Sequence, residues 1–416
     1  MENLLLVNAP ADGTVKGRIE LPSSKSISNR LLIIRALSQY DFPIHELSEA
    51  EDTKALLLAL ESEGLTHDIN AGHTGTAMRF LTAYLATRPG SFYLTGSERM
   101  KQRPIAPLVN ALQHLGADIS YSEKPGFPPL KIKGKKLKGG NINVEAGISS
   151  QFISSLLLIA PTLDDGLEIT LGGIPVSSEY IKMTLGLMSQ FGIESRWERN
   201  VISVLPGSYQ PRKITVERDW SGASYFYELL LLSEKGSLFF PGLSAKSLQG
   251  DKILWEWFGH LGITTKFTHE GAFVEKTKGH PEFVSFSFLG NPDLAQAMAM
   301  AFAGSGIQGI FRGLETLPHK ETDRIKALQN ELGKLGYSLA AREEGLWQLR
   351  KMAWPQLPGR VTFKTYNDHR MAMACAPLSL KLGQVAIQDP EVVVKSFPNF
   401  WENLKQIGFK LIYGAR

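Results

Sequence analysis

The sequence predicts an α/β protein of two domains, built from six repeated β/α units, three to each domain. Three observations predict this class. A half-apolar helical pattern, then a glycine, then a strand-like run recurs six times. A second set of helical patterns, apolar on nearly every face, alternates with the first. The length of 416 residues exceeds what one hydrophobic core supports.

The repeat glycines are Gly64, Gly116, Gly192, Gly262, Gly336 and Gly408, at intervals of 52, 76, 70, 74 and 72 residues. Each stands where a helix needs a left-handed residue beyond its last turn, a conformation costly for any residue with a Cβ. The helices before them carry apolar stripes, such as Ile105, Leu108, Leu112 and Leu115, or Ile325, Leu328, Leu332 and Leu335. The second set begins near Ser24, Thr74, Ser149, Asp219, Asp293 and Asp368 and runs on through Leu, Ala, Met and Phe. A helix apolar on all faces is buried, and only its polar first turn reaches solvent. Repeats of this length also suit a solenoid, but buried helices with polar starts favour two compact domains.

Composition narrows the function classes. With 43% hydrophobic and 21% charged residues the chain lies far from disordered compositions. A single cysteine, Cys375, precludes an internal disulfide and suits a reducing compartment. The first residues lack a basic region and a long apolar core, so no secretory leader is expected. The apolar stretch 294–307 is interrupted by Gln296, Gly304, Ser305 and Gly306, too short for a bilayer. A cytoplasmic monomer is expected, with no membrane partner. The net charge of +4 suits anionic small substrates, whereas a nucleic-acid binder would carry a denser basic stripe. The lysine-rich run 131–138 reads as the solvated face of a hairpin, an edge strand protected by lysines.

The polar residues gather at the starts of the buried helices. Ser23-Ser24-Lys25-Ser26-Ile27-Ser28-Asn29-Arg30 sets several serines and two cations into about two turns. A cap needs one serine; the excess points to a bound anion. Gly75-Thr76-Ala77-Met78-Arg79 opens the next helix with small residues that admit a ligand to the backbone. Arg99-Met100-Lys101-Gln102-Arg103-Pro104 is a cationic loop, read equally as surface charge, with Pro104 suited to a first helical residue. Lys320-Glu321-Thr322-Asp323-Arg324 leads an amphipathic helix, with Lys320 and Arg324 on one face and Glu321 beside it as an acid/base group. Tyr366-Asn367-Asp368-His369-Arg370 caps the last buried helix. The stretch Gly304 to Gly309 matches a dinucleotide fingerprint in letters, but it follows a helix and precedes a strand, so it is a helix-ending loop. His319, Glu321 and Asp323 fit no metal-ligand spacing, and no metal or cofactor is expected.

In order along the chain, Ser-Lys-Ser-x-Ser-Asn-Arg, Gly-Thr-Ala-Met-Arg, Arg-Met-Lys-x-Arg-Pro-Ile, Ser-Ser-Gln-Phe, Lys-Glu-Thr-Asp-Arg, Tyr-Asn-Asp-His-Arg-Met-Ala-Met and Val-Lys-Ser-Phe-Pro appear together. This resembles the 5-enolpyruvylshikimate-3-phosphate synthase family over nearly the whole chain. The resemblance implies the two-domain enolpyruvyl transferase fold, with buried helix N-termini facing an interdomain cleft. It places one domain at 18–216 and the other at 1–17 plus 217–416, with crossings near 17–20 and 215–218. It implies transfer of the enolpyruvyl group of phosphoenolpyruvate to the 5-hydroxyl of shikimate 3-phosphate.

By the same resemblance the shikimate 3-phosphate ligands are Lys25, Ser26, Arg30, Ser149, Ser150, Gln151, Ser177, Asp293 and Lys320, with Tyr180 near the phosphate. The phosphoenolpyruvate ligands are Lys25, Gly75, Arg103, Gln151, Arg324, Arg370 and Lys395. Asp293 is expected to take the hydroxyl proton and Glu321 to serve C3, with the reverse assignment open. Lys25 and Arg103 would stabilise the leaving phosphate, and His369 would orient neighbours. The chain departs from the family at His73, Phe80 and Thr316, where Asn, Pro and Asn are usual. Only ten residues separate Gly64 from Gly75, so the second unit is expected to lack most of its strands. Two alternatives stay open: the related transferase acting on UDP-N-acetylglucosamine, and a non-catalytic binder of sugar phosphates or nucleic acid. The first commonly has a cysteine in the loop at 99–103, where this chain has none.

Overall fold

Among the described residues, five four-stranded sheets repeat one connection pattern, and a two-stranded sheet is the sixth. In a computed structural model of the protein the described residues are 3–38, 40–62, 67–145, 147, 149–352 and 361–414. Each full sheet starts with a parallel pair and ends with an antiparallel hairpin. Phe283–Ser287 runs parallel to Gln308–Arg312, which pairs antiparallel with Leu346–Lys351 and then Tyr337–Glu343. Parallel strands need a helical crossover, and the buried helices supply it. Here the crossover is Ala295–Ser305. In the last sheet the hairpin is divided between the chain ends, with Leu4–Asn8 pairing along Lys410–Tyr413.

The chain divides into two compact units, Met1–Pro22 with Glu217–Arg416, and Ser23–Val216. The strand Thr14–Arg18 pairs in register with Lys235–Phe239 and so belongs to the first of these units. The Ser23–Val216 unit contains the buried helices Lys25–Leu37, Gly75–Ala86 and Ser150–Ile159. The other contains Trp220–Leu232, Ala295–Ser305 and His369–Cys375. Aromatic packing holds these helices in place. Phe226 of Trp220–Leu232 lies 5.8–6.2 Å from the rings of Phe240, Phe397 and Phe400. Such ring pairs each contribute on the order of 1 kcal/mol beyond area burial.

The repeat glycines Gly116, Gly192, Gly262, Gly336 and Gly408 all have φ between +74° and +96°; Gly64 lies outside the described residues. After three of them the next amide returns to a carbonyl five residues back, Ala117 to Leu112, Ile193 to Met188 and Phe409 to Leu404. That bond satisfies carbonyls the ended helix would otherwise orphan.

Two expectations need correction. The lysine run is not an edge: Leu130–Gly134 sits between Gly90–Thr95 and Asp118–Tyr121. Its lysines alternate outward, which gave the solvated face, but register with two neighbours makes it an interior strand. The shortening belongs to the unit of the Lys25–Leu37 helix. Its sheet is the parallel pair Ile44–His45 with Ile214–Thr215. The helix Glu51–Glu61 is followed within a few residues by Asp68–Asn70, which already belongs to the next sheet and leaves no room for a hairpin. Among the described residues no helix is long and apolar enough to cross a membrane.

Candidate active site

In the Ser23–Val216 unit the first turn of Lys25–Leu37 is held from below by its own motif. The Ser28 hydroxyl accepts from the Ser48 amide at 3.0 Å, and Asn29 Oδ1 accepts from the Thr53 hydroxyl at 2.8 Å. These bonds bring in Asp52, in the first turn of Glu51–Glu61. Its carboxylate accepts from Lys25 Nζ and from the Thr74 hydroxyl, both at 2.8 Å. Asp52 thereby joins the starts of two buried helices. Neither Ser24 nor Thr74 caps its own helix with its side chain.

Arg30 is buried and donates to the Thr184 hydroxyl (2.7 Å), the Ser26 carbonyl (2.9 Å), the Ser154 hydroxyl and the Tyr180 carbonyl (both 3.2 Å). Burial pushes its guanidinium down to about 10. Its guanidinium also lies 5.5 Å from the Phe80 ring. The Gly75–Ala86 helix runs through Phe80 without a break. Gly75 lies directly against Arg103. A Cβ there would stand 2.7 Å from Arg103 Nη1 and 2.8 Å from Nη2. Pro104 precedes the next helix, Ala106–His114, whose first turn takes Pro107 instead. Gln151 donates to the Thr76 hydroxyl at 3.3 Å, and Ser149 caps the Gln151 amide at 3.3 Å. Ser150 is buried beside them. Ser177 opens the Ser178–Gln190 helix in the left-handed region, φ +58°. A non-glycine there costs on the order of 1 kcal/mol, a strain that clusters at functional sites.

The other unit gathers its charges around Asp293. Its carboxylate meets Arg324 Nη1 at 2.9 Å, Arg370 Nη2 at 2.9 Å and Lys320 Nζ at 3.5 Å. Arg324, 2% exposed, also binds Glu321 through Nη2 and Asp368 through Nε, both at 2.7 Å. One guanidinium thus holds both expected acid/base carboxylates. Burial opposes its charge, but Asp368, Glu321 and Asp293 together hold Arg324 above its ordinary value. Burial, aided by Arg324 and Arg370, pushes Lys320 down. Arg370 Nη1 reaches the Asp293 carbonyl at 3.1 Å and the Tyr225 hydroxyl at 3.5 Å. Lys395 donates to the Asn367 carbonyl and side-chain oxygen, both at 2.8 Å. His369 is buried next to the Asp368 cap.

The expected helical face of Lys320 and Arg324 is corrected. The helix begins at Arg324 with Asp323 as its cap, so Lys320 and Glu321 lie in the turn before it. They still converge, because that turn folds back on Asp293. Arg324, expected among the phosphoenolpyruvate ligands, gives one nitrogen to each of three carboxylates. Of the remaining departures, His73 is exposed and Thr316 buried. The sequence reading missed Asp52, which reads in sequence as an ordinary acid at a helix start. Among the described residues no three His, Cys, Asp or Glu side chains converge as metal ligands would.

The profile of the family EPSP synthase (3-phosphoshikimate 1-carboxyvinyltransferase) matches residues 61–404. The chain belongs to that family. A 3-phosphoshikimate 1-carboxyvinyltransferase of Bacteroides fragilis is 43% identical over 98% of this chain and 99% of that one. Another member of the family, from Aliivibrio salmonicida, is 34% identical over 94% and 97%. Among solved structures, an EPSP synthase from Acinetobacter baumannii superposes with a TM-score of 0.80 at 23% identity, covering 99% of this chain and all of that one. The family's two-domain enolpyruvyl transferase fold is thus the fold of this chain.

Proposed function

We infer that the chain transfers the enolpyruvyl group of phosphoenolpyruvate to the 5-hydroxyl of shikimate 3-phosphate and releases phosphate. Membership of the family supports the reaction. The observation that carries the chemistry is Arg324 holding Asp293 and Glu321 on adjacent guanidinium nitrogens. In the addition step the 5-oxygen bonds to C2 of phosphoenolpyruvate, its proton passes to Asp293, and Glu321 delivers a proton to C3. In the elimination step Glu321 takes a proton back from C3, the C2–phosphate oxygen bond breaks, and phosphate leaves. Each proton transfer contributes roughly 10²–10⁴-fold.

Lys25, Ser26, Arg30, Ser149, Ser150, Gln151 and Ser177 are assigned to the sugar phosphate, with Asp293 and Lys320 completing the set. Arg30 supplies a buried positive charge behind Ser26. Arg103 and Gly75 with Arg370 and Lys395 are assigned to phosphoenolpyruvate, and Lys25 to the leaving phosphate. The Ser23–Val216 unit mainly binds shikimate 3-phosphate, and the other completes phosphoenolpyruvate binding. The protein acts as a cytoplasmic monomer. A UDP-sugar acceptor draws no support. Residues 99–103 carry no thiol, and burial, reinforced by Glu331 and Glu228, holds the Cys375 thiol well above its usual range.

The test is phosphate release from purified protein given both substrates, with the product weighed by mass spectrometry. Release that requires both, with shikimate 3-phosphate heavier by one enolpyruvyl group, is expected. Folded protein that leaves both substrates intact would refute the reading.

A further inference from the structure

Asp251 has no part in the chemistry described so far, yet it is the point where two segments of the active site meet. It lies in the short turn Gly250–Ile253 and is 4% exposed. One carboxylate oxygen accepts the Ser221 hydroxyl, and the other accepts Asn291 Nδ2 at 2.8 Å. Ser221 stands in the first turn of Trp220–Leu232, where its amide is capped by Asp219 at 2.9 Å. Asn291 stands two residues before Asp293, and its carbonyl accepts the Leu294 amide at 3.1 Å, closing the turn Pro292–Leu294 that carries Asp293.

A buried carboxylate satisfied mainly by neutral donors is a costly choice. Burial pushes Asp251 up from the usual carboxylate range, and the charge of Asp293 pushes it the same way. Burial by itself disfavours a charged side chain here, so the acceptor pair is the feature to explain. One acceptance ends on the residue that opens the Asp293 turn, the other on the start of the Trp220–Leu232 helix. Asp293 in turn must lie within about 0.5 Å of its productive place to take a proton efficiently. We propose that Asp251 is a positioning residue for the enolpyruvyl transfer, fixing the Asp293 turn against the start of the Trp220–Leu232 helix through Asn291 and Ser221.

This inference rests on the reaction proposed above. Its test compares kcat, both KM values and the melting temperature of the parent with those of Asp251→Ala, Asp251→Asn and Asn291→Ala. Asp251→Ala is expected to lower kcat at least tenfold with each KM within threefold. Asp251→Asn is expected to keep kcat within threefold, because an amide can accept from Asn291 and donate to the Ser221 oxygen. Asn291→Ala cuts the same link from its other end and is expected to lower kcat at least fivefold, which carries the test should Asp251→Ala not fold. Asp251→Ala or Asn291→Ala within twofold of the parent would overturn the proposal. So would an Asp251→Asn enzyme as slow as Asp251→Ala, since the contribution would then be charge and not position. A parent that releases no phosphate removes the reaction itself, whereas an active parent with an indifferent Asp251→Ala removes only this inference.

Discussion

The buried helices of the two units begin in different ways. In Ser23–Val216, Ser24 and Thr74 occupy cap positions without bonding their own helices, and the Thr74 hydroxyl turns to Asp52 instead. Only Ser149 caps, at 3.3 Å. In the other unit the Asp219 and Asp368 carboxylates cap the Ser221 and Arg370 amides at 2.9 Å. An uncapped helix start keeps its partial positive charge for an arriving anion. A helix start capped by Asp spends that charge on its own carboxylate, and Asp368 then recruits Arg324. In the Ser23–Val216 unit hydroxyls, amides and cations gather at the helix starts around the single carboxylate of Asp52. In the other unit several carboxylates are held by two arginines.

The comparison breaks most visibly at Glu321. Changing it to Gln keeps a partner for Arg324 but removes the group proposed to serve C3. A drop in kcat of about 10²–10⁴-fold is expected, measured by phosphate release. Affinity for shikimate 3-phosphate, measured by calorimetry, should stay near that of the parent. Gly75→Ala sharpens the other side. The new methyl would meet the Arg103 guanidinium at 2.7 Å and displace it. A charge-assisted contact is worth roughly 1.5–3 kcal/mol, and a partial loss should raise the phosphoenolpyruvate KM about fivefold. Its kcat should change much less; an equal loss in kcat would give Arg103 a part in the chemistry as well as in binding.

How much of this was legible in the sequence follows from what each pattern physically requires. The glycine after each helix and the apolar helices announced themselves, because a left-handed residue and an all-apolar face each leave few options. The cation-rich helix starts were legible for the same reason. The pairing of Arg324 was not: its partners Asp293, Glu321 and Asp368 come from three segments, and no spacing reports that one guanidinium satisfies all three. Asp52 was hidden as well, since an acid in a first turn already has a local explanation. The hairpin missing from the Lys25–Leu37 unit was assigned to its neighbour because chain order does not show which sheet a strand joins.

The smallest expected effect concerns stability behind the carboxylate-rich site. Glu228 is fully buried in Trp220–Leu232, and burial holds its carboxyl well above the usual value. The folded protein therefore retains a proton that the unfolded chain releases as pH rises past about 4.3. Stability is lost progressively from that point up toward the folded value. Glu228→Gln should match the parent near pH 4 and melt at a higher temperature than the parent at pH 8. Parallel melting curves across that range would place a charge-compensating partner beside Glu228.

Asp293→Asn tests the division of labour most directly, with shikimate 3-phosphate affinity and phosphate release measured on one preparation. The structure predicts affinity within tenfold of the parent and release reduced at least about 10³-fold, since the amide keeps the site's shape but cannot take the hydroxyl proton. Release within tenfold of the parent from a folded variant would contradict it and move the base elsewhere.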